Sequence, residues 1–457
     1  MHTQKPLKQL IPDILLHYQQ FWTQMQFELE LYTMHEGQIR EKVIESLTRE
    51  MLSKSALTRA IQRIPSINIP RKVSDKLSKV YSKPPTRFSK VDLDLIEDFS
   101  RMLHLNAEMS QSNKMSNLNH RSALEIYMED GIQRVRVLNA HQFLPFSDNP
   151  KSPNEMTVFI KLLGQEIKTR EVVTDREGNR DANEEEITRV NIFALYSDTE
   201  FLIIDSDGIV REDKMRAMGA TSSINPFGVI PFVYINTSHS ELVPYPNQTA
   251  FDMGILIPKL LTDLNYSAQF LSHSVIWTKN TDLEGSEINP DAIVNLGETD
   301  AQGNEPEIGT IDPTTDIEGV LKLIGFQLSS YLATIGIKAG SVGQVEASSA
   351  SSGIAKIIDE SDTTEARQAQ TELYRMVEPD FWNKFAKMQS VWSNAGLVDK
   401  KETFSPNFLD SFAIKFAEIK PLESEKDKVE KIKALREIKL ITKKQALKEI
   451  FPDLPED

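Results

Sequence analysis

Apolar residues recur at helical spacing along the first 125 positions. Residues 21–33 mix aromatic side chains with leucines, and residues 39–64 carry Val43, Ile44, Leu47, Met51 and Leu52 on one face. The run 65–70, with Pro65 and Pro70 at its ends, breaks this pattern. A shorter helix is predicted over 73–81 ahead of Pro84-Pro85, and 91–109 resumes with Leu93, Ile96, Phe99, Leu103 and Leu105. From about residue 124 the period becomes two. Residues 132–138 alternate, with Leu144-Pro145-Phe146 read as the end of that strand, and 157–163, 165–174, 187–195 and 201–204 read as further strands. Turn residues at 176–179 and Asp207-Gly208 separate them, and Glu184-Glu185-Glu186 reads as a solvated hairpin tip.

The helical period returns after Pro244-Tyr245-Pro246. Asn247 can cap a helix carrying Phe251, Ile255, Leu256, Leu260, Leu261, Leu264 and Leu271, in which Pro258 predicts a kink or a new start. Residues 274–315 are short and strand-like at Val275-Ile276-Trp277 and Ala292-Ile293-Val294. Asp316 then caps a second helix with Ile317, Val320, Leu321, Ile324, Leu328, Tyr331, Leu332 and Ile335, about 30 Å long. Small residues fill 336–352, a long helical tract covers 353–394 with an interruption expected at Pro379, and 412–416 alternates as a strand. Two charged amphipathic helices close the chain, the first with Val429, Ile432, Leu435 and Ile438 on one stripe. The predicted class is α+β, mainly helical.

Composition narrows the chemistry. A chain of 457 residues leaves room for one to three domains, and the absence of Cys excludes disulfides, thiolate zinc sites, iron–sulfur clusters and cysteine nucleophiles. The net charge of −15 is the reverse of what a tight binder of nucleic-acid phosphates carries. The apolar stretch at 11–16 is too short for a signal sequence and is broken by Asp13, and nowhere do eighteen apolar residues follow one another. The reading at this level is a soluble acidic protein.

Enzyme signatures fail. His35-Glu36 begins like a zinc-protease helix, but Ile39 stands where the second His is required. Gly336, Gly340 and Gly343 lack the following Gly-Lys-Ser/Thr of a phosphate loop, since the nearby Lys338 precedes two of them, and no strand leads in. No Gly-x-Ser-x-Gly elbow occurs. No catalytic residue, metal ligand or cofactor is therefore expected. The strongest positive feature is charge segregation. Between Lys279 and Lys322 there is no basic residue, while Asp282, Glu284, Glu287, Asp291, Glu298, Asp300, Glu305, Glu307, Asp312 and Asp316 fall there. Most helix connections need only a few residues, so a forty-residue acidic insertion suggests a separate module projecting from a helical pair.

In the order of these parts the sequence resembles the bacteriophage portal proteins of the siphophage-type group, which form a ring at one vertex of a tailed-phage head. The resemblance is carried by Asn68-Ile69-Pro70-Arg71-Lys72-Val73 through Leu77, then Tyr81 and Pro84-Pro85, and by the strands of 131–146. It continues with Gly228-Val229-Ile230-Pro231-Phe232-Val233 ahead of Asn265-Tyr266-Ser267, then Ser351-Ser352-Gly353-Ile354-Ala355. Phe416-Ala417-Glu418-Ile419-Lys420-Pro421 and a tail through Pro452-Asp453 complete it, so it covers nearly the whole chain. Each motif alone is short; their joint order makes the likeness.

The resemblance implies a portal fold: a wing (1–243 and 353–419), stem helices (244–273 and 316–335), a clip (274–315), a tunnel loop (336–352) and a crown (420–457). It implies a homo-oligomeric ring, usually of twelve subunits, at a capsid vertex of the virion, assembled in the host cytoplasm with no membrane partner. Double-stranded DNA would pass through the channel during packaging and ejection, touching Gly336, Lys338, Gly340, Ser341, Gly343 and Gln344. Trp277, Asp282, Glu284, Glu287 and Asp291 would form the docking surface for the terminase large subunit and later for head-completion adaptor and tail proteins. Leu260, Leu264, Leu321 and Leu328 would pack the stem, and the major capsid protein or scaffold would surround the ring. Twelve copies of a −15 chain would carry about −180 formal charges, which lets DNA slide where a basic tunnel would grip it. The alternatives are an oligomeric neck or scaffold protein without a DNA channel, and an enzyme using Asp359 and Glu360.

Overall fold

The computed structural model describes residues 5–50, 54–171, 185–220, 222–238, 240–272, 275–279, 307–311, 317–335 and 353–417. Two units result: Met1–Tyr32, Pro70–Gln248 and Ile335–Asp457 form one, and Thr33–Ile69 with Thr249–Thr334 the other. Helices α1 (Leu7–Glu36), α2 (Ile39–Glu50), α3 (Lys54–Ile61) and α4 (Ile69–Leu77) open the chain. After the short strand β1 (Thr86–Phe88) come α5 (Leu93–Met102) and α6 (Leu105–Asn119). The expected single helix over 91–109 is thus two, parted where His104 takes a left-handed backbone (φ 49°), and the helix expected over 73–81 starts earlier, at Ile69.

Strands β2 (Arg121–Glu129) and β3 (Ile132–Asn139) form a hairpin closed by Asp130-Gly131, whose φ angles of 50° and 78° are those a two-residue hairpin turn requires. Next come β4 (Phe143–Phe146), β5 (Val158–Glu171), β6 (Glu185–Tyr196), β7 (Phe201–Asp205), α7 (Glu212–Ala217) and β8 (Phe232–Asn236). One sheet has the order β3-β2-β8 and another β4-β5-β6-β7. Leu144-Pro145-Phe146 does not end β3 but belongs to the second sheet, on an edge strand where Pro145 leaves no central ladder bond unmade. The two strands expected over 157–163 and 165–174 are one, β5, shifted in register between Leu162 and Gly164, where Gly164 has φ 144°. Phe143, Phe159 and Phe232 stack between the sheets, with ring centroids 5.0 and 4.0 Å apart.

The remaining elements are α8 (Gln248–Ser272), β9 (Val275–Lys279), β10 (Glu307–Ile311), α9 (Ile317–Thr334), α10 (Gly353–Asn394) and β11 (Ala413–Lys415), which pairs with β1. Pro379, expected to interrupt the long tract, sits inside the continuous α10, and of the two alternatives at Pro258 a new start is not found, since it lies inside α8. An internal proline costs a helix about 3 kcal/mol. Around Pro379 that cost is offset by burial of Tyr374, Val377, Phe381, Trp382 and Phe385, which share one core with Ile96 and Phe99 of α5 and Leu124 and Ile126 of β2. A second core lies where Leu7, Leu10, Ile14 and Tyr18 of α1 cover Val158, Phe193, Leu195 and Leu202 of the four-stranded sheet. In the other unit, Met34, Ile39, Val43, Leu47, Ala60 and Ile64 pack with Phe251 and Ile255 of α8.

Candidate functional site

The acidic module is built from a helix, a strand pair and a second helix. Strand β9 follows α8, β10 precedes α9, and the strands pair antiparallel from Val275 opposite Ile311 to Lys279 opposite Glu307. Five residues at about 3.3 Å each make a stalk near 16 Å long. Because Lys279 and Glu307 face each other at its far end, residues 280–306 leave and return at one point. That intervening stretch carries seven carboxylates and no Lys or Arg. Asp282, Glu284, Glu287 and Asp291 lie in it, outside the described residues, as do Ala292-Ile293-Val294. Trp277 is the middle residue of β9, opposite Gly309.

The two helices differ in what they bury. On α8, Ile257 and Thr262 are buried, while Leu260 and Leu264 are half-buried. Thr262 Oγ1 donates to the Pro258 carbonyl at 2.7 Å. Lys259 pairs with Glu50 of α2 at 2.5 Å, and Arg63 lies 5.8 Å from the Tyr266 ring centroid. Burial pushes the Asp263 carboxyl above its ordinary value, against the pull of Lys259. On α9, Ile324, Tyr331 and Leu332 are buried, and burial pushes the Tyr331 hydroxyl up to about 12. Leu328 is half-buried. Leu321, Leu323 and Phe326 are 49%, 48% and 70% exposed. Leu323 and Phe326 are spaced three apart on one stripe, so α9 turns uncovered apolar side chains to solvent in the single chain.

Gly336, Lys338, Gly340, Ser341, Gly343 and Gln344 lie outside the described residues, between α9 and α10, as do 420–457. Sequence reading did not find β10, whose Glu-Ile-Gly-Thr-Ile offers only a brief alternation, nor the Lys279–Glu307 register that closes the stalk. Phe326 was legible as apolar but not as exposed. Among the described residues no three His, Asp or Glu side chains gather as metal ligands, and no helix is long and apolar enough to cross a membrane.

No protein-family model and no curated protein matches the chain. Among solved structures it is similar to a chain of the neck of an empty GTA particle, computed with C6 symmetry. The identity is 10%, the match covers 88% of this chain and 94% of that one, and the TM-score is 0.38.

Proposed function

We propose that the chain is the portal subunit of a tailed phage: a ring at one capsid vertex that conducts double-stranded DNA in packaging and ejection. The observation that carries this reading is the order α8, β9, acidic insertion, β10, α9. A strand pair between two helices carries an insertion whose charged side chains are all acidic, a composition suited to docking a basic partner. Each remaining part then has a use. The uncovered Leu323–Phe326 face of α9 supports self-association, because apolar surface of this kind is ordinarily covered by a partner. The glycine- and serine-rich run 336–352 follows that helix, and small side chains with Lys338 can touch phosphates without reading a sequence. The acidic net charge favours transit over grip.

In this reading the ring acts by electrostatics and shape, with no bond made or broken. The terminase large subunit and later head-completion proteins dock on the acidic tip, and the tunnel segment restrains packaged DNA by many weak contacts. Deleting 340–350 tests the channel role. Rings and empty heads are expected to form, while heads fail to retain a full genome; heads that fill and keep their DNA would overturn it.

A further inference from the structure

We propose that the β5–β6 ribbon of one copy of this chain docks in the groove beside Phe227 of a second copy, with Ile167 as the knob. The contact goes beyond the portal reading and does not rest on the DNA channel. The two strands pair from Phe159 opposite Tyr196 to Glu171 opposite Glu185. Strand β4 accompanies β5 only over 158–161, and β7 accompanies β6 only over 192–196. Residues 164–171 and 185–191 therefore run on as a two-stranded ribbon about 25 Å long. Ile167 and Arg189 stand directly opposite one another on it, and both are exposed, Ile167 by 67%. The alternate residues are already covered: Glu166 accepts from Arg211 at 3.0 Å, and Val190 is buried.

The groove, about 390 Å³, is lined by Tyr196, Phe201, Met218, Ile224, Phe227 and Leu397 among others. Met218, Ile224 and Leu397 are each more than half exposed, an apolar cluster of the kind that a partner covers. Its floor is fixed in the single chain. The buried Asn225 donates from Nδ2 to the carbonyls of Ser197 and Val229, at 2.6 and 2.9 Å, and accepts from the Phe227 N–H. Phe227 in turn packs edge-on against Trp392 at 5.6 Å. Preformed walls need little ordering on binding.

Charge agrees with this pairing. Asp130 and Asp399 are exposed at the Leu397 end of the groove, where the Asp399 N–H donates to the Gly131 carbonyl, and Arg189 flanks the knob. No ion pair joins Arg189, Asp130 or Asp399 to another described residue. The occupant is a second copy because one chain cannot make the contact with itself. Ribbon and groove belong to the same unit, and along β6 Arg189 and Tyr196 stand about 23 Å apart. Every copy thus presents a knob at one end of the sheet and a groove at the other, an arrangement that joins copies head to tail.

The absence of cysteine gives a direct test. Ile167→Cys is combined with Ile224→Cys in the full chain, oxidised, and read on a non-reducing gel with peptide mapping. A ladder of covalent multimers joined 167 to 224 is expected, because closure needs Cα atoms within about 7 Å. A mixture of the two single variants is expected to stop at dimers, and either single variant alone to cross-link about tenfold more slowly. An intrachain bond, no interchain bond, or Ile167→Cys alone dimerising as fast as the mixture would overturn the proposal. A second measurement needs no thiol. Ile167→Asp is expected to keep the wild-type urea midpoint, since the position is exposed, and to weaken self-association about tenfold in analytical ultracentrifugation. Closed rings formed as readily by Ile167→Asp as by the wild type would overturn this contact and leave the portal reading standing. Cross-linked wild-type-like strings that never close would support the contact and contradict the portal reading.

Discussion

Arg121 grips Glu28 with two nitrogens, Nε to Oε1 at 3.1 Å and Nη2 to Oε2 at 2.6 Å, and neither side chain is exposed. Glu28 lies on α1 and Arg121 opens β2, so the pair ties the long first helix to the sheet. Arg121 also donates to the Ala140 carbonyl and lies 5.4 Å from the Phe143 ring centroid, and Gln24 donates to Glu28 at 3.0 Å.

Removing one partner of this pair leaves the other charge buried alone. Glu28→Ala is expected to cost about 3–5 kcal/mol, read as a lowered urea midpoint. Glu28→Leu combined with Arg121→Met is expected to cost less than Glu28→Ala, since it leaves no uncompensated charge. A double variant as damaged as the single would show that shape, not charge, governs the site.

Acid is expected to loosen the same region. Burial, then the charge of Arg121, holds the His141 imidazole down to about 4, and burial lowers His17 and His120 as well. His17 sits 4.8 Å from Phe21 and 5.3 Å from Phe146, with Nε2 3.0 Å from the Pro145 carbonyl. Each is less basic folded than unfolded, so the unfolded chain binds more protons between the two values. Stability is therefore complete above about pH 6.5 and falls as the pH drops toward 4, with His141 alone contributing about 3 kcal/mol. His141→Asn is expected to flatten that slope in unfolding measured from pH 7 to pH 4.

How much of this was legible in the sequence depended on range. The alternation of β3 was legible because its exposed and buried residues take turns along one strand. The acidic insertion and its two flanking helices were legible from charge and period. β1 was not, since its partner β11 lies more than 300 residues on and three residues carry no period of their own. Pro379 misled because local propensity was outweighed by packing on both sides of the proline. Arg121 looked like any polar residue before a strand, and only the fold brings Glu28 to it.

Phe326 tests self-association. In the single chain it is 70% exposed on α9, so Phe326→Lys is expected to leave the unfolding midpoint nearly unchanged. Assembly, followed by analytical ultracentrifugation, is expected to shift toward monomer. Unchanged assembly would free this face from any role in it.

The acidic tip is expected to steer its partner. On the portal reading, replacing Asp282, Glu284 and Glu287 by Lys is expected to weaken binding of the proposed terminase partner while assembly is retained, and wild-type binding is expected to fall as salt rises, because charge–charge attraction is screened over about 8 Å at physiological ionic strength. Binding that is flat across salt would remove this surface from the docking role.

The central claim, that this chain forms a DNA-conducting ring, is tested most directly by negative-stain imaging of the purified protein. The account predicts closed rings with a central opening wide enough for duplex DNA. Monomers, or closed assemblies with no open centre, would contradict it.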